Sequence, residues 1–309
     1  MTRPAAVSIT DVVLRDGLQD EPRTVSTKYK LALLDGLLNA GVRSIELGAF
    51  VRPDRVPQMA DTDDLFRTAP RPPGISYAGL VLNQRGAERA VTAGLTQARL
   101  VVSASEGHSQ ANAGQAVSEA LDDLRAAARI LAGADPAPEL VGCIATAFVC
   151  PFDGPTSPGR LAQIAARLAA DGAGGIILAD TLGAANPDQV RLGIRAVRDA
   201  APGIPIGLHL HNTHGMALAC VWEALQMGVD RFDSALGGIG GCPFAPGAAG
   251  NLATEDLLGL LNGAGIETGI DLARMLDLLP IVTQLLGHPP DSHRGRAHPQ
   301  AATSGGGGS

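Results

Sequence analysis

The chain has no surplus of positive charge. Its 24 Lys and Arg residues stand against 31 Asp and Glu, a formal net charge of -7, so it lacks the basic footprint that nucleic acid or an anionic membrane surface requires of a partner. Neither is expected to bind. It has no long apolar run free of charges and glycines, which excludes an ordinary transmembrane helix. Cysteine is scarce: Cys143, Cys150, Cys220 and Cys242 show none of the dense spacing of a disulfide scaffold. The opening residues MTRP carry no apolar signal region, so reduced thiols in a cytoplasmic setting are the expectation. No G-x-G-x-x-G opens a helix after the first apolar run, which counts against an open doubly wound dinucleotide-binding sheet.

What the chain does have is length, apolar mass and alternation. With 309 residues, 45% of them hydrophobic, it can bury a large core within one domain. Short apolar or β-branched runs recur at 7–14, 44–48, 76–82, 98–104, 140–147, 175–180, 204–211 and 231–235. Longer Ala/Leu/Arg-rich amphipathic stretches lie between them, among others at 27–39, 115–131, 158–170, 187–200 and 216–227. Eight such βα repeats predict a TIM (β/α)8 barrel, with an additional C-terminal helix at 271–286. The expected domain is 1–287. Residues 288–309, rich in Pro, His and Gly and ending in a linker-like GGGGS, are expected to be a disordered tail.

A barrel collects its catalytic residues where strands end, on the face built by the βα loops. Arg15 and Asp16 close the first run, Glu46 the second, Asp180 and Thr181 the sixth, and His209 and His211 the seventh; Cys242 and Asn251 follow the eighth. Two histidines at i and i+2 on a strand face the same side, which is how a rigid element presents two metal ligands. The glycine-rich segment 237–242 then offers a close-approach loop carrying one cysteine. Charged and ligand-type residues in otherwise apolar strands are costly unless paired or metal-bound, and metal-assisted catalysis follows as the reading. Each residue also has a plainer role open to it. Asp180 before Thr181 suits a turn or helix cap, Glu46 a buried partner for Arg15, and Cys242 a small inert apolar residue. Cys143, Cys150 and Cys220 read as core, and His214, His288, His293 and His298 as surface or tail.

Five segments occurring in order, VLRDGLQDE (13–21), FVRPDRVPQM (50–59), DTLG (180–183), HLHNTHG (209–215) and GGCPFAPGAAGNLATED (240–256), resemble 3-hydroxy-3-methylglutaryl-CoA lyase. The similarity runs over 9–270. It implies a divalent-metal-dependent carbon–carbon lyase performing a retro-Claisen cleavage to acetyl-CoA and a 3-oxo acid such as acetoacetate, a reaction of leucine catabolism. Asp16, His209, His211 and Asn251 would hold one cation, with Mg²⁺ or Mn²⁺ best suited to this N/O set. Arg15 would stabilise the thioester enolate, Cys242 would protonate it, Glu46 and Gln19 would orient Arg15 and the ligands, and Asp180 is a candidate base. Arg23, Arg52 and Asn83 are candidates for holding the coenzyme A part of an acyl-CoA substrate. A homo-oligomer, in the form of a dimer, is also implied.

The chain departs from the usual lyase pattern at three places. Asn212 and His214 stand where the family commonly has Asp and Tyr. After Ser105-Glu106 the family tends toward an aromatic and lysines before an Asn, whereas this chain reads GHSQAN over 107–112; a lysine after the first motif is replaced by Pro22 and Arg23. These positions bear on the acyl group and coenzyme A more than on the reaction type. The alternatives are a relative acting on another 3-hydroxy acid or thioester, or a synthase condensing a 2-oxo acid, which would use the same Arg-Asp and His-x-His residues with little need of Cys242. A non-catalytic barrel is disfavoured because the full set of expected ligands is present.

Overall fold

A computed structural model describes residues 3–241 and 250–298. Eight parallel strands close into a barrel: Ser8–Asp11, Ser44–Ala49, Ser76–Val81, Gln97–Ser103, Glu139–Ala145, Gly175–Asp180, Ile206–Leu210 and Arg231–Ser234. Each pairs with its sequence neighbours, and the first closes the ring by pairing with the eighth, Ser8 opposite Arg231. This is the TIM barrel that the alternation predicts.

Three of the expected helices fall on their expected bounds: Thr27–Asn39, Pro158–Ala170 and Pro187–Ala200. Proline at the first turn suits the latter two, because its missing N–H would have had no partner there. The helix expected over 115–131 is present as Val117–Ala132, and a separate short helix, Glu106–Ala113, precedes it. Gly114 in the left-handed region ends the short one. The helix after the eighth unit is Leu272–Leu286, with Met275, Leu279, Val282 and Leu286 buried at helical spacing. It packs on Thr27–Asn39, where a Cβ on Gly36 would lie 2.5 Å from Leu278.

Two expectations are corrected. The first strand does not run to Leu14. It ends at Asp11, whose carboxylate accepts the Val13 amide at 2.9 Å and the Thr254 hydroxyl at 2.8 Å, and a π-helical turn, Val13–Gly17, takes over. Nor is the region after His288 wholly without structure: residues 293–297 form a short helix, His293–Ala297. Asp256 accepts its first amides, His293 N at 2.9 Å and Arg294 N at 2.8 Å, and Ser292 caps Gly295 N at 3.0 Å. No helix among the described residues is long and apolar enough to cross a membrane. Cys143, Cys150 and Cys220 are free, buried thiols, in keeping with their reading as core.

Candidate active site and metal centre

The π turn is what brings Arg15 and Asp16 to the mouth of the barrel. Arg15 N and Gly17 N both donate to Val12 O at 3.1 Å, a widened turn of the kind that often marks functional positions. Its two side chains meet at once: Arg15 Nη1 bonds Asp16 Oδ1, while Arg15 Nε donates to Glu46 Oε2 at 2.8 Å. Glu46 lies within the second strand rather than at its end, at an irregularity where the register shifts before Gly48. It is fully buried, and its Oε1 has no partner among the described residues.

His209 and His211 face the same side of the seventh strand, as their spacing requires. Their Nε2 atoms are 3.3 Å apart, and Asp16 Oδ2 is 3.7 Å from the first and 3.4 Å from the second. Three ligand-type atoms thus converge within 4.8 Å of one another. Asn251 joins them, its Nδ2 donating to Asp16 Oδ2 at 2.8 Å and to Ile239 O at 3.0 Å. Gly240, at φ 122°, makes this approach possible, since a Cβ there would lie 2.5 Å from Asn251 Nδ2. Asn251 Oδ1 and His211 Nδ1 are buried without a partner among the described residues. Burial works to raise the Asp16 carboxyl, but the Arg15 guanidinium and the two imidazoles outweigh it and hold the group well below the usual carboxylate range. An ionised carboxylate, two imidazoles and an orphaned amide oxygen form a donor set that fits a divalent cation.

Beneath the cluster lies a pair that local sequence reasoning missed. Arg99 of the fourth strand reaches across the barrel and grips Asp233 of the eighth with both terminal nitrogens, Nη2 to Oδ1 at 3.0 Å. Asp233 Oδ2 in turn meets His209 Nδ1 at 3.3 Å. Burial alone would lower the basicity of His209; the Asp233 hydrogen bond and the Asp16 charge more than reverse it. A carboxylate behind a ligating imidazole fixes ring orientation and tautomer. Three carboxylates, the buried Glu46 and Asp233 and the partly buried Asp16, thereby face two guanidinium groups (Arg15, Arg99), a negative excess that favours a cation. Asp233→Asn is expected to weaken divalent-metal binding by about 10- to 100-fold; a Mn²⁺ titration with unchanged affinity would remove Asp233 from this role.

The family profile described as HMGL-like matches residues 6–282. The (R)-citramalyl-CoA lyase of Chloroflexus aurantiacus is 44% identical over 95% of this chain and 95% of its own length. The hydroxymethylglutaryl-CoA lyase of Pseudomonas mevalonii is 38% identical over 94% of this chain and 96% of its own. The chain belongs to the HMG-CoA lyase family. Among solved structures, the HMG-CoA lyase of Acinetobacter baumannii in complex with coenzyme A and 3-methylmalate superposes with a TM-score of 0.90 at 37% identity, covering 96% of this chain and 97% of that one. The chain is accordingly a carbon–carbon lyase on a TIM barrel, as its motifs imply.

Against this HMG-CoA lyase framework the remaining expected residues divide. Gln19 lines the cavity together with Arg15, Asp16, Glu46 and His209. Asp180 does not line it: its carboxylate accepts Ala184 N at 3.2 Å and Ala185 N at 2.9 Å, holding the turn after the sixth strand, while its carbonyl receives His211 N at 3.4 Å. Burial pushes its carboxyl up, with those amides pulling the other way. Asn83 caps the helix Gln84–Ala93 by accepting Gly86 N at 3.0 Å. Arg52 is exposed and paired with Asp54, Nε to Oδ1 at 3.0 Å. Arg23 lies against Gly287 at the end of the C-terminal barrel helix. The structure brings none of these four into the cavity. Cys242 falls in 242–249, outside the described residues. The short helix Glu106–Ala113 instead adds His108 and Asn112 to the cavity wall; that Gly107 to Asn112 break the family's usual pattern was the available signal.

Proposed function

We propose that this chain is a divalent-metal-dependent lyase cleaving the coenzyme A thioester of a 3-hydroxy-3-methyl dicarboxylic acid into acetyl-CoA and a 2- or 3-oxo acid. The observation that carries the reading is the convergence of Asp16, His209 and His211, with Asp16 and His209 lining one cavity beside Arg15 at the C-terminal mouth of the barrel. 3-Hydroxy-3-methylglutaryl-CoA and citramalyl-CoA, which the relatives' names indicate, share a tertiary alcohol placed β to the thioester and a free carboxylate. They differ by one methylene. A cation held by Asp16, His209, His211 and Asn251, with Mg²⁺ or Mn²⁺ best matched to the donors, would act as a Lewis acid on the alcohol and carboxylate oxygens. Arg15, fixed by Glu46 and Asp16, supplies positive charge where the thioester oxygen becomes an enolate. Asp233 and Arg99 keep His209 in place, and Gln19 contributes to the wall beside Arg15. A cytoplasmic setting agrees with three unpaired, buried thiols.

The test is purified protein with Mg²⁺ or Mn²⁺ and each thioester in turn, following acetyl-CoA together with acetoacetate or pyruvate. One methylene is worth roughly 10- to 200-fold in kcat/KM, and a preference of that order identifies the acid. Release of acetyl-CoA from neither would overturn the reading.

The proton for the enolate carbon is assigned to Cys242, and the other thiols supply the contrast. Burial pushes both Cys143 and Cys220 up to about 12, so neither is a ready nucleophile. An alkylating reagent is expected to label Cys242, to inactivate the enzyme, and to do so more slowly with substrate bound. Cys242→Ser should fold normally and turn over poorly. A label on Cys143 or Cys150 with a fully active Cys242→Ser would require another proton donor.

A further inference from the structure

We infer that His108 accepts the proton of the substrate's tertiary hydroxyl in the cleavage step, an inference that rests on the lyase reading above. His108 is in the first turn of Glu106–Ala113, directly after the fourth strand. The fourth strand stands across the barrel from the eighth. His108 therefore approaches the cavity from the wall facing the metal-ligand side, and it lines the same cavity as Arg15, Asp16 and His209. Its placement is built rather than incidental. Ser105 Oγ accepts His108 N at 3.0 Å and donates to Asp153 Oδ2 at 2.6 Å, and the same carboxylate oxygen receives Gly107 N at 2.9 Å.

A chain of hydroxyls sets the tautomer. Thr146 Oγ1 donates its one hydrogen to Ala145 O at 2.7 Å. Its 3.0 Å contact with Ser103 Oγ therefore uses the serine hydrogen. That leaves the 3.1 Å contact between Ser103 Oγ and His108 Nδ1 to be made by a hydrogen on Nδ1. In the neutral ring Nε2 then carries the lone pair and can take a proton. Thr146, which anchors this chain, is a buried non-glycine residue at φ 51°, strain of the kind that persists where a site over-determines it. Burial lowers the basicity of His108, which keeps the ring neutral and ready to accept.

Four carboxylates at or beside the site are otherwise engaged, and a fifth, Asp20, lines the cavity from an exposed position. Asp16 and Glu46 are bound to Arg15, Asp233 to Arg99, and Asp180 to two backbone amides. In the step itself the hydroxyl proton passes to Nε2, and the bond between the carbinol carbon and the thioester's α-methylene breaks. Its electron pair moves into the thioester enolate, and the carbinol becomes a ketone. The enolate carbon takes up one proton while the imidazolium releases one, so the reaction balances without a co-reactant.

His108→Gln keeps a hydrogen-bond acceptor but cannot be protonated, and should lower kcat by ~10²-fold or more with KM little changed. His108→Ala should lose a similar factor and regain roughly tenfold when free imidazole is added, a response that a purely structural residue would not give. Mn²⁺ affinity should match wild type in both. Should the wild type cleave the thioester while His108→Gln retains kcat within about threefold, should imidazole leave His108→Ala unchanged, or should the variants lose Mn²⁺, the inference is overturned and the lyase reading stands. A wild type that cleaves neither thioester overturns both.

Discussion

Replacing either His209 or His211 with alanine is expected to abolish thioester cleavage and to leave purified protein with sub-stoichiometric metal. The three ligand-type side chains lie within 4.8 Å of one another and are largely buried, so losing one imidazole removes a nitrogen donor that bulk water reaches poorly. Asp16 and the surviving histidine form an incomplete cage. Chelation of the wild type should produce the same loss of activity, and Mg²⁺ or Mn²⁺ should restore it in the wild type but not in either variant. Asn251→Ala should weaken binding less. Its amide oxygen is neutral, a water can take its place, and its Nδ2 contact with Asp16 is an orienting bond rather than a charge pair. Elemental analysis after gel filtration, combined with acetyl-CoA release, checks both effects. Wild-type stoichiometry and turnover in both histidine variants would sink the ligand assignment.

The barrel and the candidate metal cluster were legible in the sequence for different reasons. The barrel is written in local periodicity, since each strand is a short apolar run and each helix a longer amphipathic one. The convergence of His209 and His211 is legible because histidines are unusual in such a strand and their i, i+2 spacing has one geometric meaning. Arg99 and Asp233 escaped because a single charge in a strand ordinarily reads as a solvated alternate position. Their partnership spans 134 residues and exists only once the barrel closes. The overlong first strand has a similar cause: Val12, Val13 and Leu14 continue the apolar run, while the side chain of Asp11 ends the ladder by taking the Val13 amide. Asp180 and Asn83 show the converse difficulty. A strand-end Asp or Asn looks the same in sequence whether it faces a substrate or accepts backbone amides, and here both accept amides. The segment after His288 reads as a tail by composition, and what orders its short helix is a distant carboxylate, Asp256.

Arg15→Gln is expected to lower kcat by at least ~10²-fold with a smaller effect on metal affinity, the loss expected when one main charge stabiliser of a developing oxyanion is removed. The complication is that Arg15 also neutralises Glu46, which is fully buried and has one oxygen unpartnered among the described residues even with the arginine in place. Removing one member of a buried ion pair strands the other charge and costs about 3–5 kcal/mol of stability. A drop in activity could then follow from a loosened barrel mouth. Pairing Arg15→Gln with Glu46→Gln separates the two effects. The double variant has no stranded charge, so its thermal midpoint should recover toward wild type, whereas kcat should stay low because the positive charge facing the enolate is still missing. Arg15→Lys should not restore full activity either. The guanidinium binds Glu46 through Nε and Asp16 through Nη1 at once, and a single ammonium cannot hold both carboxylates and still present a fixed donor to a third oxygen. If kcat instead recovered with stability in the double variant, Arg15 would be a structural partner of Glu46, and the enolate would have to be stabilised by the cation and the loop that follows the eighth strand.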